Sequence, residues 1–313
     1  LTPGKSKELA LSEKIRVGFI GSGGIARWHY ENLLKTGRAE VVAVADPNPA
    51  GYNRIAEKHP EFGEAKLFGD HREMLENTEL DAVMIQTPHC HHSEEIADAF
   101  ARGLHVMCDK PMAGSADQAR QIISLRDSAE RVFVLTYQRK YQPQYTEARK
   151  LIEEGRIGEV ECIVAVLLQG WLDFVAGTWR VDPVASCGGQ LNDSGSHIVH
   201  VVPWVTNLRP ESVYCSTQNL GQAVEVNAAM TVQMQNGAIW AATIVGNGVG
   251  FSEELRVFGK DGMLSVVDDK LRLCKRGGEP QDVELPAGST PESNFVAAIL
   301  DCAPVVCGAE DGL

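Results

Sequence analysis

Residues 17–34 read VGFIGSGGIARWHYENLL. An apolar run ends at Gly21, glycines follow at 23 and 24, and an amphipathic helical pattern begins near Ala26. Strand, glycine-rich turn and helix in that order open a βαβ unit. The G-x-G-x-x-A spacing over Gly21, Ser22, Gly23, Gly24, Ile25 and Ala26 lets backbone amides and a helix N-terminus approach a pyrophosphate. A plain tight turn is the competing reading of clustered glycines. Asp46 favours the nucleotide. It closes the next apolar run, EVVAVAD, about 20 residues on, where such folds place the acid that accepts the ribose hydroxyls. Its carboxylate would repel a 2′-phosphate, and Pro47, Asn48 and Pro49 bring no cation to offset that, so NAD is predicted over NADP.

Working outward, apolar runs alternate with helical stretches up to about residue 136: IRVGFIG, EVVAVAD, DAVMIQT, LHVMCDK and RVFVLTY. That alternation predicts a doubly wound parallel sheet with helices on both faces. Past it, a helix near Pro143 to Glu154 gives way to strand-like segments, VECIVAVLL, VYCSTQNL, EVNAAMTVQM, AIWAATIV, ELRVFG and MLSVV, with turns at Asn236-Gly237 and Asp261-Gly262. They predict a second domain on an antiparallel sheet. The expected division is 1–137, with 1–14 as an N-terminal extension, and 138–313. No repeat or low-complexity tract interrupts it.

Charge narrows the function. With 29 basic and 42 acidic residues the formal net charge is 29 − 42 = −13, which repels nucleic-acid backbones and anionic membranes. No apolar run approaches the roughly 18 residues that span a bilayer, and the opening LTPGKSKELALSEK lacks a signal peptide's apolar core, so a cytoplasmic protein is expected. Eight cysteines without a CxxC read as reduced core thiols.

Two further stretches carry chemistry. LHVMCDKPM, 104–112, ends a core strand in Asp109, Lys110 and Pro111. Ligands of a doubly wound sheet bind at the carboxyl ends of its strands, so these charges are expected at the cofactor crevice, with Pro111 restricting the backbone of Lys110. In CGGQLNDSGSHIVHVVPWV, 187–205, Asp193 and His197 share a face if the helix begins by Asp193, and a carboxylate there orients an imidazole for proton transfer. An exposed turn and an N-cap acid with a packed histidine are the plainer alternatives. Trp171 and Trp179 fit either stacking on a sugar ring or packing of a loop.

GSGGIA at 21–26, Asp46, TPHCHH at 87–92, DKP at 109–111 and GGQLNDSGSH at 188–197, in this order, resemble the Gfo/Idh/MocA oxidoreductases. The resemblance implies a Rossmann domain followed by an α+β domain whose large, mostly antiparallel open sheet mediates homodimers or homotetramers. It assigns catalysis to Lys110, Asp193 and His197, and cofactor contacts also to Thr87, Pro88, His89, His92, Asp109, Gln138, Trp179 and Arg180. Gln138, Trp171 and Trp179, with the catalytic three, are expected at the substrate. Three departures stand out: Asp109 for the usual Glu, His89 for the usual Asn, and an end at AEDGL where relatives continue into another helix.

The implied reaction is hydride transfer between nicotinamide and a secondary alcohol of a sugar or cyclic polyol. His197 accepts the hydroxyl proton, Asp193 steadies the imidazolium and Lys110 stabilises the alkoxide, although Lys110 itself remains open as the base. The alternatives are a redox-neutral, NAD-dependent glycosidase-type relative and a non-catalytic metabolite sensor. His89, His91, His92 and His200 invite a metal, but adjacent residues on a turn rarely converge, so none is expected.

Overall fold

The computed structural model describes residues 14–313, so all but the last residue of the expected 1–14 extension lies outside the described residues. Parallel strands β1 (Ile15–Ile20), β2 (Ala39–Ala45), β3 (Lys66–Phe68), β4 (Ala82–Ile85), β5 (His105–Cys108) and β6 (Phe133–Leu135) form one sheet in the order β3-β2-β1-β4-β5-β6. β4 and β6 are buried at every position, as strands covered on both faces must be. The order reverses beside β1, which puts the Gly21–Ala26 turn at the switch point where nucleotides bind.

The second sheet holds β7 (Val160–Gln169), β8 (Pro210–Gln218), β9 (Asn227–Met234), β10 (Ile239–Val245), β11 (Phe251–Gly259), β12 (Gly262–Val267), β13 (Lys270–Lys275) and β14 (Gln281–Asp282). Its order is β14-β13-β12-β11-β7-β10-β9-β8. It is mostly antiparallel, as expected, with β7 and β10 paired parallel. β9 and β10 alternate buried and outward residues. The helices Pro143–Glu153 and Ser196–Thr206 supply Tyr145, Leu151, Ile198, Val202 and Val205 to the core shared with Ile163, Trp240 and Val257. The other face carries exposed apolar side chains, Tyr214 and Ile239 among them.

The two compact units interleave along the chain. One comprises described residues 14–87, 91–136 and 290–313; the other comprises 88–90 and 137–289. The C-terminal crossing arises from the helix Pro291–Leu300, which buries Phe295 and Val296 among Phe19, Leu33 and Val134 of the first unit. A Thr290/Ser293 capping box starts it. Truncating a buried phenylalanine costs about 3–5 kcal/mol, so Phe295 ties this last segment to the nucleotide-binding sheet. Short β3, β13 and β14 and this helix were not legible as separate elements in the apolar pattern.

Candidate active site

The glycine loop has the geometry its spacing predicts. Gly21 adopts φ +91°, a region that favours glycine, and a Cβ there would meet the Gln86 carbonyl oxygen at 2.9 Å. At Gly23 and Gly24 a Cβ would instead project into open space, so backbone amides there stay reachable by a bulky group. The helix Ala26–Lys35 follows, its N-terminal dipole beside the loop. Asp46 Oδ2 accepts from the Ser22 amide at 2.8 Å and hydroxyl at 2.7 Å, while Oδ1 accepts from the Asn48 amide at 2.8 Å. The acid therefore fixes the loop.

Gly51, which the motif reading passed over, completes this cradle. A Cβ on it would lie 2.0 Å from the Ser22 carbonyl oxygen, so only glycine lets the helix Ala50–Ala56 approach the loop. A cleft of about 280 Å³ opens between Gly23, Gly24, Gly51, Arg27 and Arg54. Cations absent from Pro47 to Pro49 thus come from the helices instead. The open loop, the helix dipole and the acid fit a dinucleotide.

Thr87 and His92 are joined within the first unit. His92 Nδ1 lies 2.8 Å from the Pro111 carbonyl and Nε2 3.0 Å from that of Thr87; burial keeps the ring neutral, so its single N–H donates to one of these two loops. The Thr87 hydroxyl donates to Glu95, whose carboxyl burial pushes up to about 7. Lys110 is half-buried just beyond β5, and the Lys110-Pro111 peptide is cis. The expected placement of both charges toward the crevice needs one correction: the Asp109 carboxylate turns inward, accepting from the Thr136 hydroxyl and lying 3.5 Å from His29 Nε2. The shorter acid at this position points at a buried partner that the motif did not reveal.

In the second unit the helical expectation for Asp193 also needs correcting. The helix starts at Ser196, and Asp193 sits in the preceding turn, where its amide donates to Gly189 O at 2.9 Å and the Gly195 amide to Gln190 O at 2.8 Å. A Cβ at 195 would lie 2.6 Å from Leu191 O, so glycine closes the turn and delays the helix. Asp193 therefore precedes the helix that carries His197 and does not belong to it. Instead, Asp193 Oδ2 accepts from Trp171 Nε1 at 2.8 Å and Arg180 Nε at 3.1 Å, and Oδ1 lies 4.0 Å from His89 Nε2.

These contacts assign tautomer and packing. The Ser186 carbonyl, 2.8 Å from His89 Nδ1, can only accept, so Nδ1 carries the proton and Nε2 faces Asp193 with its lone pair when the ring is neutral. Trp179 meets the His89 ring edge-on at 4.8 Å, with Arg180 4.4 Å over its own ring. Trp171 is buried with Val175, Val224 and Val226. Tyr137 stacks on His200 at 4.0 Å and meets the buried His197 edge-on at 5.8 Å. Gln138 opens the short helical turn Gln138–Tyr141, whose Arg139 pairs with Glu253. Burial alone would raise the Glu253 carboxyl; Arg139 and the Tyr145 hydroxyl hold it below the usual range.

Comparison with known proteins bears on family and fold. The family model "Oxidoreductase family, NAD-binding Rossmann fold" matches residues 15–137, and "GFO/IDH/MocA C-terminal domain" matches 145–265. An inositol 2-dehydrogenase of Rubrobacter xylanophilus is 26% identical over 85% of this chain and 75% of its own. One from Corynebacterium glutamicum is 25% identical over 73% of this chain, which spans 66% of that relative's length. The structure of an inositol dehydrogenase homolog complexed with NAD+ from Azotobacter vinelandii superposes with a TM-score of 0.84 at 20% identity, covering 96% and 92% of the chains. With a nucleotide cradle in one unit and both family domains matched, the chain belongs to the Gfo/Idh/MocA oxidoreductases, which bind NAD on a Rossmann fold.

Proposed function

We propose that this protein oxidises a secondary alcohol of a cyclic polyol or sugar, or runs the reverse reaction, with inositols the first class to test. The observation that carries the reading is the buried Asp193 carboxylate, gripped by Trp171 and Arg180 in the turn leading to His197, in a chain whose other unit carries a complete nucleotide cradle. The relatives' names support the substrate class.

Bound NAD supplies the hydride acceptor. The Gly21–Ala26 loop and Asp46 orient the nucleotide. His197 takes the hydroxyl proton as the carbinol hydrogen leaves, and Asp193 supplies the negative potential that favours the charged imidazole. Lys110 stabilises the alkoxide oxygen; a charged donor aimed at such a site is worth about a hundred- to a thousandfold in rate. His89, Gln138 and Trp179 are proposed to shape the substrate's surroundings. The exposed apolar face carrying Tyr214 and Ile239 is proposed to join copies of the chain.

A panel of inositols, aldoses and keto-sugars with NAD and NADP, followed by nicotinamide absorbance, tests the reading. Saturable NADH formation with a polyol supports it. Product without net NADH formation would indicate the redox-neutral alternative, and binding without turnover a sensor.

A further inference from the structure

A chain of buried charges stands behind Lys110. His29 lies on the inner side of the helix Ala26–Lys35, 1% exposed, and its Nδ1 is 2.5 Å from Oε1 of Glu292, which is 0% exposed in the helix Pro291–Leu300. The other ring nitrogen, Nε2, is 3.5 Å from Asp109 Oδ1. Glu292 Oε2 has no hydrogen-bond partner among the described residues, so His29 is the group that this carboxylate grips. Asp109 is in turn tied to Thr136, and its amide donates to Ile85 O at 2.8 Å. The next residue is Lys110.

The ring's chemistry follows from its neighbours. Ionised carboxylates only accept hydrogen bonds, and a neutral imidazole has one N–H. Facing a carboxylate oxygen with each nitrogen, His29 satisfies both only as the imidazolium. Electrostatics agree: burial opposes the charge, but the facing carboxylates of Asp109 and Glu292, the latter hydrogen-bonded, outweigh it and push the imidazole up to about 9. Asp109 is held well below the usual carboxylate range, where burial is overcome by His29 and then by Lys110 and Thr136.

We propose that His29 and Glu292 are positioning residues: a charged imidazole clamps Asp109 and thereby fixes the strand end from which Lys110 reaches the substrate. This rests on the dehydrogenase reading for the role of Lys110, but the clamp itself does not. A buried, salt-bridged ring on a helix could serve stability alone. What points beyond stability is that the clamp ends on the residue next to Lys110, at the carboxyl end of β5, the end where ligands of such sheets bind.

The test combines three readouts on the full chain. Nitrogen-correlated NMR of the His29 ring in the wild type should show both nitrogens protonated at pH 7.5; a neutral ring there would overturn the proposal without any variant. In His29→Gln, the rate of reductive methylation of the Lys110 amine, read by mass spectrometry, should change at least threefold while other lysines keep theirs. With any polyol the wild type turns over, His29→Gln and Asp109→Asn should each lower kcat at least tenfold. NADH affinity should stay within about threefold and Asp109→Glu should restore most of the loss, an effect range set by typical positioning losses. An unchanged labelling rate and kcat, or a loss of NADH affinity equal to the loss of kcat, would reduce the clamp to a stabilising ion pair. If no polyol is oxidised, the dehydrogenase reading fails, while the NMR and labelling results still decide the clamp.

Discussion

Ser22 and Asp46, which meet in the first unit, are 24 residues apart in the chain. Asp193 in the second draws its partners from Trp171, Arg180 and His89, the last from the three-residue stretch 88–90 that clusters with that unit. The contrast follows from what each site is proposed to do. A phosphate is recognised by backbone amides and a helix dipole, which one local turn can present. A proton is handled by side chains whose charge must be set in a dry interior, and those have to be gathered from separate elements.

If the division holds, changes in one region should move nucleotide affinity and changes in the other should move turnover. The largest effect is expected at Lys110: Lys110→Met should cut kcat by about two to four orders of magnitude, with NADH affinity nearly unchanged, as removal of a transition-state charge does. Stopped-flow turnover beside NADH titration reads both. Next is Asp193→Asn, which leaves Trp171 and Arg180 a neutral amide in place of a carboxylate. It should lower kcat about ten- to a thousandfold and lower the pH at which the catalytic base titrates, since the favourable negative charge is gone. A pH–rate profile that keeps its position would return Asp193 to a structural role.

Asp46→Ser tests the first region from the other side. Losing a charge-assisted grip on the loop and the ribose should weaken NAD by about ten- to a hundredfold, the worth of a hydrogen bond to a charged group, and narrow its advantage over NADP. Calorimetry with both nucleotides checks it, and wild-type preference for NADP would contradict the role given to Asp46. Gly51→Ala is a steric version of the same probe. A Cβ 2.0 Å from the Ser22 carbonyl oxygen must push the helix Ala50–Ala56 away, costing about 1–3 kcal/mol of stability, as overpacking does, and distorting the cradle. Unaltered melting and NAD affinity would mean the loop tolerates that shift.

Much of the first region was legible because its signals are periodic and local. Glycine spacing, the apolar runs of β1 and β2 and the acid at Asp46 all lie within one βαβ unit. His29 escaped notice although it stands on the buried stripe with Ala26, Tyr30 and Leu33, because a histidine there reads as packing until Glu292, 263 residues away, is seen beside it. The Asp193 site was legible as residues but not as geometry. The i, i+4 spacing to His197 suggested a shared helix face, whereas Gly189 and Gly195 hold the chain in a turn until Ser196 and hand Asp193 to Trp171 and Arg180. The membership of 290–313 in the first unit was hidden for the same reason, since it rests on Phe295 and Val296 meeting apolar partners far away in sequence.

The smallest effect concerns pH and stability. His29 titrates near 9 when folded and near its ordinary value of about 6.5 when unfolded, so its pairing stabilises fully below about 6.5 and that contribution is lost as pH rises through about 9. The wild type should therefore lose melting temperature between pH 7 and 10 more steeply than His29→Gln. Equal slopes would mean the ring gains no proton on folding.

Hydride transfer from a secondary alcohol carbon to bound NAD can be followed by isotope transfer. A polyol that turns over is prepared with deuterium on the carbinol carbon, and the nicotinamide product is analysed by mass spectrometry and proton NMR. One deuterium is expected at the nicotinamide C4 for each ketone formed, with the label abolished in step with turnover in Lys110→Met. Unlabelled NADH, or product that accumulates while NAD stays oxidised, would contradict it.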